Sequence, residues 1–475
     1  MKINKTRKGT GPAPVILAGG SGAVADRISK LKELQRSVLA CLLWEDVAYE
    51  NGDSIAQRIA TLVPLVAPDK VAALAIAART EGKLRHVPLL LAREMARHAT
   101  HKALVADVLA TVIQRADELS EFLSIYFKND KNQPISAQVK KGLARAFVKF
   151  DEYALAKYSG KGNDFSLRDV LFLCHAKPQT KAQAAVWKRL INDELKTPDT
   201  WETALSASNG ENKKEVWERL LSEEKLGALA LIRNLRNFEQ TGVDRNLVKK
   251  ALKTCKTERI LPFRFITAAK HAPRYQSELE ETILRTVEGK KILKGKTVVI
   301  IDVSGSMNSA LSGKSEMTRM ECGTSLAILL REQCEDVVFY ATAGNDSTRI
   351  HRTELVRPHH GFALRDEIVN QASRLGGGGI FLKQVMDYVQ DAEKGADRVI
   401  IFSDEQDTSK IDPSTANAWG KKNYIINISV EKGGIAYSKF DHINGFSEAV
   451  IDYIAAGEQI ENNDDFAQAL QLLRQ

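Results

Sequence analysis

Cysteine is scarce: five among 475 residues, at Cys41, Cys174, Cys255, Cys322 and Cys334, with no CxxC pair. An odd, scattered set excludes a disulfide framework and a cysteine-built zinc site. It fits reduced thiols packed as small apolar side chains. Long apolar runs are missing too. Stretches such as VAALAIAA (Val71–Ala78) fall far short of the roughly 20 residues that cross a bilayer. The N-terminus is basic and then briefly apolar (PAPVILA), too short for a secretory leader, which predicts a cytoplasmic chain.

Nucleotide-binding and hydrolase motifs fail on detail. SGKS (Ser312–Ser315) looks like the end of a P-loop, but Asn308 stands where the first glycine is required. GSGAVA (Gly20–Ala25) precedes helix after helix, with no βαβ unit to make it a dinucleotide fingerprint. Ser304 and Ser306 do not sit in GxSxG. No catalytic residue is assigned, and the chain is read as a non-enzyme.

Charge is abundant but segregated. Residues 291–475 hold 20 Lys and Arg against 26 Asp and Glu, a net of −6. With +8 overall, residues 1–290 carry +14. A basic part suits a polyanion, because lysine and arginine that neutralise phosphates release counterions.

Residues 26–290 read as helix almost throughout, after an N-terminal segment 1–25. Apolar residues recur at three and four in segments such as LLLAREMARHATHKALVADVLATVIQ, KAQAAVWKRLINDEL and KLGALALIRNLRNF. Breakers such as NDKNQPIS and SGKGNDFS separate them, and Ser136 is placed to cap a helix. Such segments with short connections predict stacked helix pairs, an α-solenoid.

The pattern changes near Gly295. KTVVIIDV, DVVFYATA, RVIIFSD and NYIINISV are short β-branched runs, with helical segments between the first three. That order predicts a doubly wound α/β domain over 291–475, with any ligand at the carboxyl ends of the strands.

Two such ends carry oxygen. DVSGSM brings Asp302, Ser304 and Ser306 around a glycine turn, and Asp404 follows a later strand. One carboxylate and two hydroxyls form a hard set suited to Mg²⁺ or Mn²⁺. The DxSxS core with a later acid resembles the metal-ion-dependent adhesion site of von Willebrand factor A domains. Such sites add a threonine from a glycine-rich loop; here the loop is LGGGGIFLKQ, and Ile380 takes that place.

The helical part resembles the TROVE module of the Ro autoantigen family. WEDVAYENGDSIAQRI, LRDVLFLCHAKP, DTWETALS, KLGALALIRNLRNF and RILPFRFITAAK appear in the family's order. The resemblance implies a ring of HEAT-like repeats closed by the A domain, which needs no partner copies. It implies Y-like noncoding RNA on the basic outer surface and single-stranded ends of misfolded RNA in the central hole. It further implies a role in RNA quality control or decay, with polynucleotide phosphorylase as a partner.

His175 matches the family's RNA-contacting histidine in HxKP; Lys177 adjoins it and Arg168 lies one helical face away. Lys157 and Lys161 occupy the preceding basic stretch. Arg93 and Arg97, with His98, His101 and Lys102, form a further basic stripe expected to face RNA. Arg264 and Lys270 stand among aromatics, a composition suited to single strands, though Phe265 is expected to pack inside. The competing expectation is a metal-dependent adaptor that captures a protein partner through Asp302.

Overall fold

The computed structural model describes residues 30–39, 52–80, 82–128, 132–159, 164–208, 212–257, 260, 263–288, 292–311, 317–404, 419–428, 440–444 and 449–459. The chain divides into a helical unit and an α/β unit.

In the helical unit, helices of about two to four turns follow one another from Lys30 to Val287. Their starts are written in the sequence. Ser136, Asp151, Ser166, Thr180 and Thr200 each accept a backbone N–H of the first turn. Each such cap is worth about 1 kcal/mol. Helices pack on near neighbours in order: Pro68–Thr80 on His86–Arg97 and Val105–Val112, and the latter on Ala137–Phe147. That succession is the expected stack of helical repeats. Fully buried Phe122, Phe147, Trp217, Phe238 and Phe265 fill the spaces between layers. Each contributes about 1.5–3 kcal/mol through area removed from water. The long segment KLGALALIRNLRNF divides at Asn234 into Ala228–Arg233 and Leu235–Thr241.

The α/β unit holds a six-stranded sheet in the order β3-β2-β1-β4-β5-β6. The strands are β1 Leu293–Asp302, β2 Cys334–Asn345, β3 Ile350–Leu355, β4 Arg398–Ser403, β5 Lys422–Asn427 and β6 Asp441–Asn444. All neighbours are parallel except β2 and β3. Every residue of β4 is buried, as a parallel strand covered on both faces requires. Alternation in β1 sends Val298 and Ile300 into one core with Ile380, Leu382, Val385 and Met386. On the opposite face, Ile301 and Phe402 lie against Gly323 of the Arg319–Gln333 helix. This is the doubly wound architecture expected of the second domain.

The chain divides between Lys290 and Lys291, and the α/β unit takes in Lys291–Phe446. The helix Ala449–Gln459 groups with the helical unit and buries Val450, Ile451 and Ile454. Among the described residues no helix is long and apolar enough to cross a membrane.

Candidate functional site

Two places carry chemistry, one in each unit. In the α/β unit the chain turns from β1 to β2 on one side, while β4 leads to β5 on the other. Their carboxyl ends therefore meet at the point where the strand order reverses, the place where such folds take a ligand. β1 delivers Asp302 there and β4 delivers Ser403 and Asp404; both acids are fully buried. Ser403 Oγ donates to Asp302 Oδ2 at 2.8 Å, and the Ser304 N–H donates to Oδ1 at 2.9 Å. The Ser304 and Ser306 hydroxyls lie 3.2 Å apart. Between them the Gly305 N–H donates to the Gly377 carbonyl at 2.9 Å. A β-carbon on Gly305 would stand 2.9 Å from that oxygen, so only glycine lets the two loops close.

Burial pushes the Asp302 carboxyl up to about 7; the charge of Asp404 adds to this, while bonds from Ser304 and Ser403 oppose it. Arg319 was not anticipated. It opens the helix behind the site, is 4% exposed, and donates from Nη1 to Asp404 Oδ2 at 2.5 Å. Ile380 contributes nothing to this cluster, because its side chain belongs to the apolar core. Asp302, Ser304 and Ser306 thus fit a small hard cation by oxygen type and convergence. The fourth expected oxygen source, Asp404, is engaged by a guanidinium.

The second place is the helix Leu167–Cys174. Ser166 caps it, and Asp169 closes a capping box. Leu167, Val170, Leu171 and Cys174 face inward. Arg168, Phe172 and His175, spaced by four and three, face out on one side. The Arg168 guanidinium lies 5.9 Å from the Phe172 ring centre. His175 ends the helix at φ 52°, a left-handed position more often given to glycine. Lys177 follows, exposed, and then the helix Lys181–Ile191 with Lys181 and Lys188 exposed. That helix packs against both Leu167–Cys174 and Glu152–Tyr158. The latter carries Lys157, half-buried and 5.7 Å from the Tyr158 ring. Lys161 lies outside the described residues. Phe172 escaped the sequence reading, because VLFLCH scans as one buried run.

The basic stripe at 93–102 is corrected. Arg93 is 4% exposed and pairs with Glu94 at 3.0 Å, so it offers RNA no surface. His101 is buried, its ring bonded to the Val66 carbonyl and the Thr100 hydroxyl. Arg97 is partly exposed and also pairs with Glu94, at 3.3 Å. The cause is that the helix His86–Arg97 is buried from Val87 to Ala96, leaving no outward face to carry a stripe. Other arginines are likewise engaged by acids. Arg79 binds Glu118 at 2.6 Å, Arg115 binds Asp117 at 2.8 Å, and Arg85 binds Asp117 and Glu121. Arg264 is exposed, 4.8 Å from the Phe263 ring, and Lys270 is exposed, while Phe265 is fully buried as expected.

The TROVE domain family model matches residues 187–361. Solved structures supply the rest: over 93% of its length the chain superposes on all of the Deinococcus radiodurans Ro (Rsr) protein, with a TM-score of 0.62. Residues 187–361 thus match the TROVE domain, and the whole chain has the fold of that Ro protein. At 17% identity that likeness is one of fold. The TROVE match begins after His175 and takes in Asp302, Ser304, Ser306 and Arg319. The chain is also 36% identical over 92 residues to telomerase protein component 1 of Mus musculus, and 34% to that of Rattus norvegicus. Each alignment covers 18% of this chain, which spans only about 3% of the length of those curated relatives.

Proposed function

We propose that this protein is a non-catalytic RNA-binding protein whose contact surface centres on Arg168, His175 and Lys177. The observation that carries the proposal is their shared exposure at one end of a helix, with no acidic partner among the described residues. Side chains not committed to a protein acid, beside an exposed ring, are placed for phosphate. The +14 carried by residues 1–290 supports it, although internal pairing takes a share of those arginines. Lys157, Arg264 and Lys270 add further basic contacts, as does Lys161 by its place in the sequence, and Arg97 adds only a partial one. The ligands are Y-like small RNA and the single-stranded ends of misfolded RNA. The setting is RNA quality control or decay in the cytoplasm, with polynucleotide phosphorylase as partner. The test is binding of a hairpin RNA with a single-stranded tail across a salt series. Affinity should fall steeply as salt rises; no binding at low salt overturns the proposal.

Asp302, Ser304 and Ser306 hold Mg²⁺ or Mn²⁺ in this proposal. The ion supplies positive charge beside two buried acids of which Arg319 compensates one. Asp302 would bind it as carboxylate and the serines through their hydroxyls, while Arg319 holds Asp404 in place. Calorimetric titration with Mg²⁺ tests this, with Asp302→Ala as the variant expected to lose binding.

A further inference from the structure

We infer that Phe172 is a stacking platform for one unpaired base, a subsite that rests on the RNA-binding proposal and narrows its ligand to single-stranded RNA. Phe172 is 52% exposed. A lone exposed apolar side chain is ordinary; its surroundings are not. Arg168 sits over its ring at 5.9 Å, and His175 follows one turn on. The acid next along the helix, Asp169, is taken up by Ser166, accepting its N–H at 2.8 Å and its hydroxyl at 2.7 Å. The exposed face is thus one aromatic ring bordered by a guanidinium, an imidazole and, beyond them, Lys177.

A protein partner would need a broader apolar patch, yet Leu167, Val170, Leu171 and Cys174 all point inward. One ring beside a guanidinium, an imidazole and a lysine matches one nucleotide: a base on the ring and its phosphates on the polar groups. Paired bases bury their faces within the A-form stack, so the platform serves only an unpaired one. Every base has a π-face, so the subsite reads strandedness and not sequence.

The full chain is tested with two probes: a hairpin RNA carrying a single-stranded tail with one 2-aminopurine, and the same hairpin with a blunt end. Phe172→Ala should weaken the tailed RNA roughly fivefold to a hundredfold, the range of one stacked base. The blunt hairpin should move less than about twofold. Quenching of 2-aminopurine should be lost with Phe172→Ala and kept with Phe172→Tyr, which retains the ring. Wild-type binding by Phe172→Ala, or equal loss for both RNAs with an unchanged circular dichroism spectrum, overturns the platform. A wild-type protein that binds neither RNA at low salt overturns the RNA-binding proposal itself.

Discussion

Arg319 and Asp404 form a buried ion pair, with Nη1 and Oδ2 2.5 Å apart. The arginine opens a helix that covers the sheet, and the acid directly follows β4. The pair therefore fastens a covering helix to a strand end. It also places a permanent positive charge next to the Asp302 cluster. A divalent ion there would share its task with a guanidinium.

Removing that cation should expose the division of labour. Arg319→Met removes the guanidinium from buried Asp404, a change that costs about 3–5 kcal/mol. Thermal unfolding in EDTA should show the full loss. Adding Mg²⁺ should recover part of it in the variant, and recover more there than in the wild type, because Asp404 is then available to the ion. An equal Mg²⁺ effect in both proteins would separate Arg319 from the metal site.

His175 should show opposite effects on folding and binding. Its backbone holds φ 52°, which costs an L-residue about 1 kcal/mol relative to glycine. His175→Gly should raise stability in urea by about that amount while weakening RNA several-fold. His175→Ala should weaken RNA similarly without the gain. A glycine variant that binds RNA as wild type would remove the imidazole from the contact surface.

The helical unit should be pH-sensitive at Glu121. Burial pushes this carboxyl up to about 7 against the pull of Arg85, and Asp117 and Glu118 add to the rise. His86 and Arg115 also face the cluster. The folded state thus holds the Glu121 proton more tightly than the unfolded chain, whose carboxyl titrates near 4.5. Its contribution is full below pH 4.5 and is lost as pH rises through about 7. Glu121→Gln should therefore gain about 1–2 kcal/mol on wild type at pH 8 after allowance for solvent screening, and little at pH 4. Urea unfolding at the two pH values checks the sign.

Much of this was legible in the residues, and what was not has physical causes. β1, β2, β4 and β5 announce themselves as β-branched runs because parallel strands are buried on both faces. β3 is an edge strand, half open to water, and its sequence IHRTEL carries no such run. β6 has four residues, too few for any pattern. The Asp302, Ser304 and Ser306 cluster could be read locally, since one turn makes it. Arg319 could not, because its partner lies 85 residues away and a lone arginine before a helix reads as surface. Arg93 failed in the same way: spacing gives a face, but only tertiary packing decides whether that face is covered.

Ile380 carries the last prediction. By position in the glycine-rich loop it replaces an expected threonine, which suggests that Ile380→Thr would restore a metal ligand. The fold argues otherwise. Ile380 is fully buried in the cluster of Val298, Ile300, Leu382, Val385 and Met386. A hydroxyl there enters an apolar core and leaves a space where the rest of the isoleucine had packed. Ile380→Thr should cost about 1–3 kcal/mol of stability. It should leave Mg²⁺ affinity, measured by calorimetry, within about twofold of wild type. A gain in affinity would mean that the loop can turn residue 380 toward Asp302, and that its glycines allow two settings of the site.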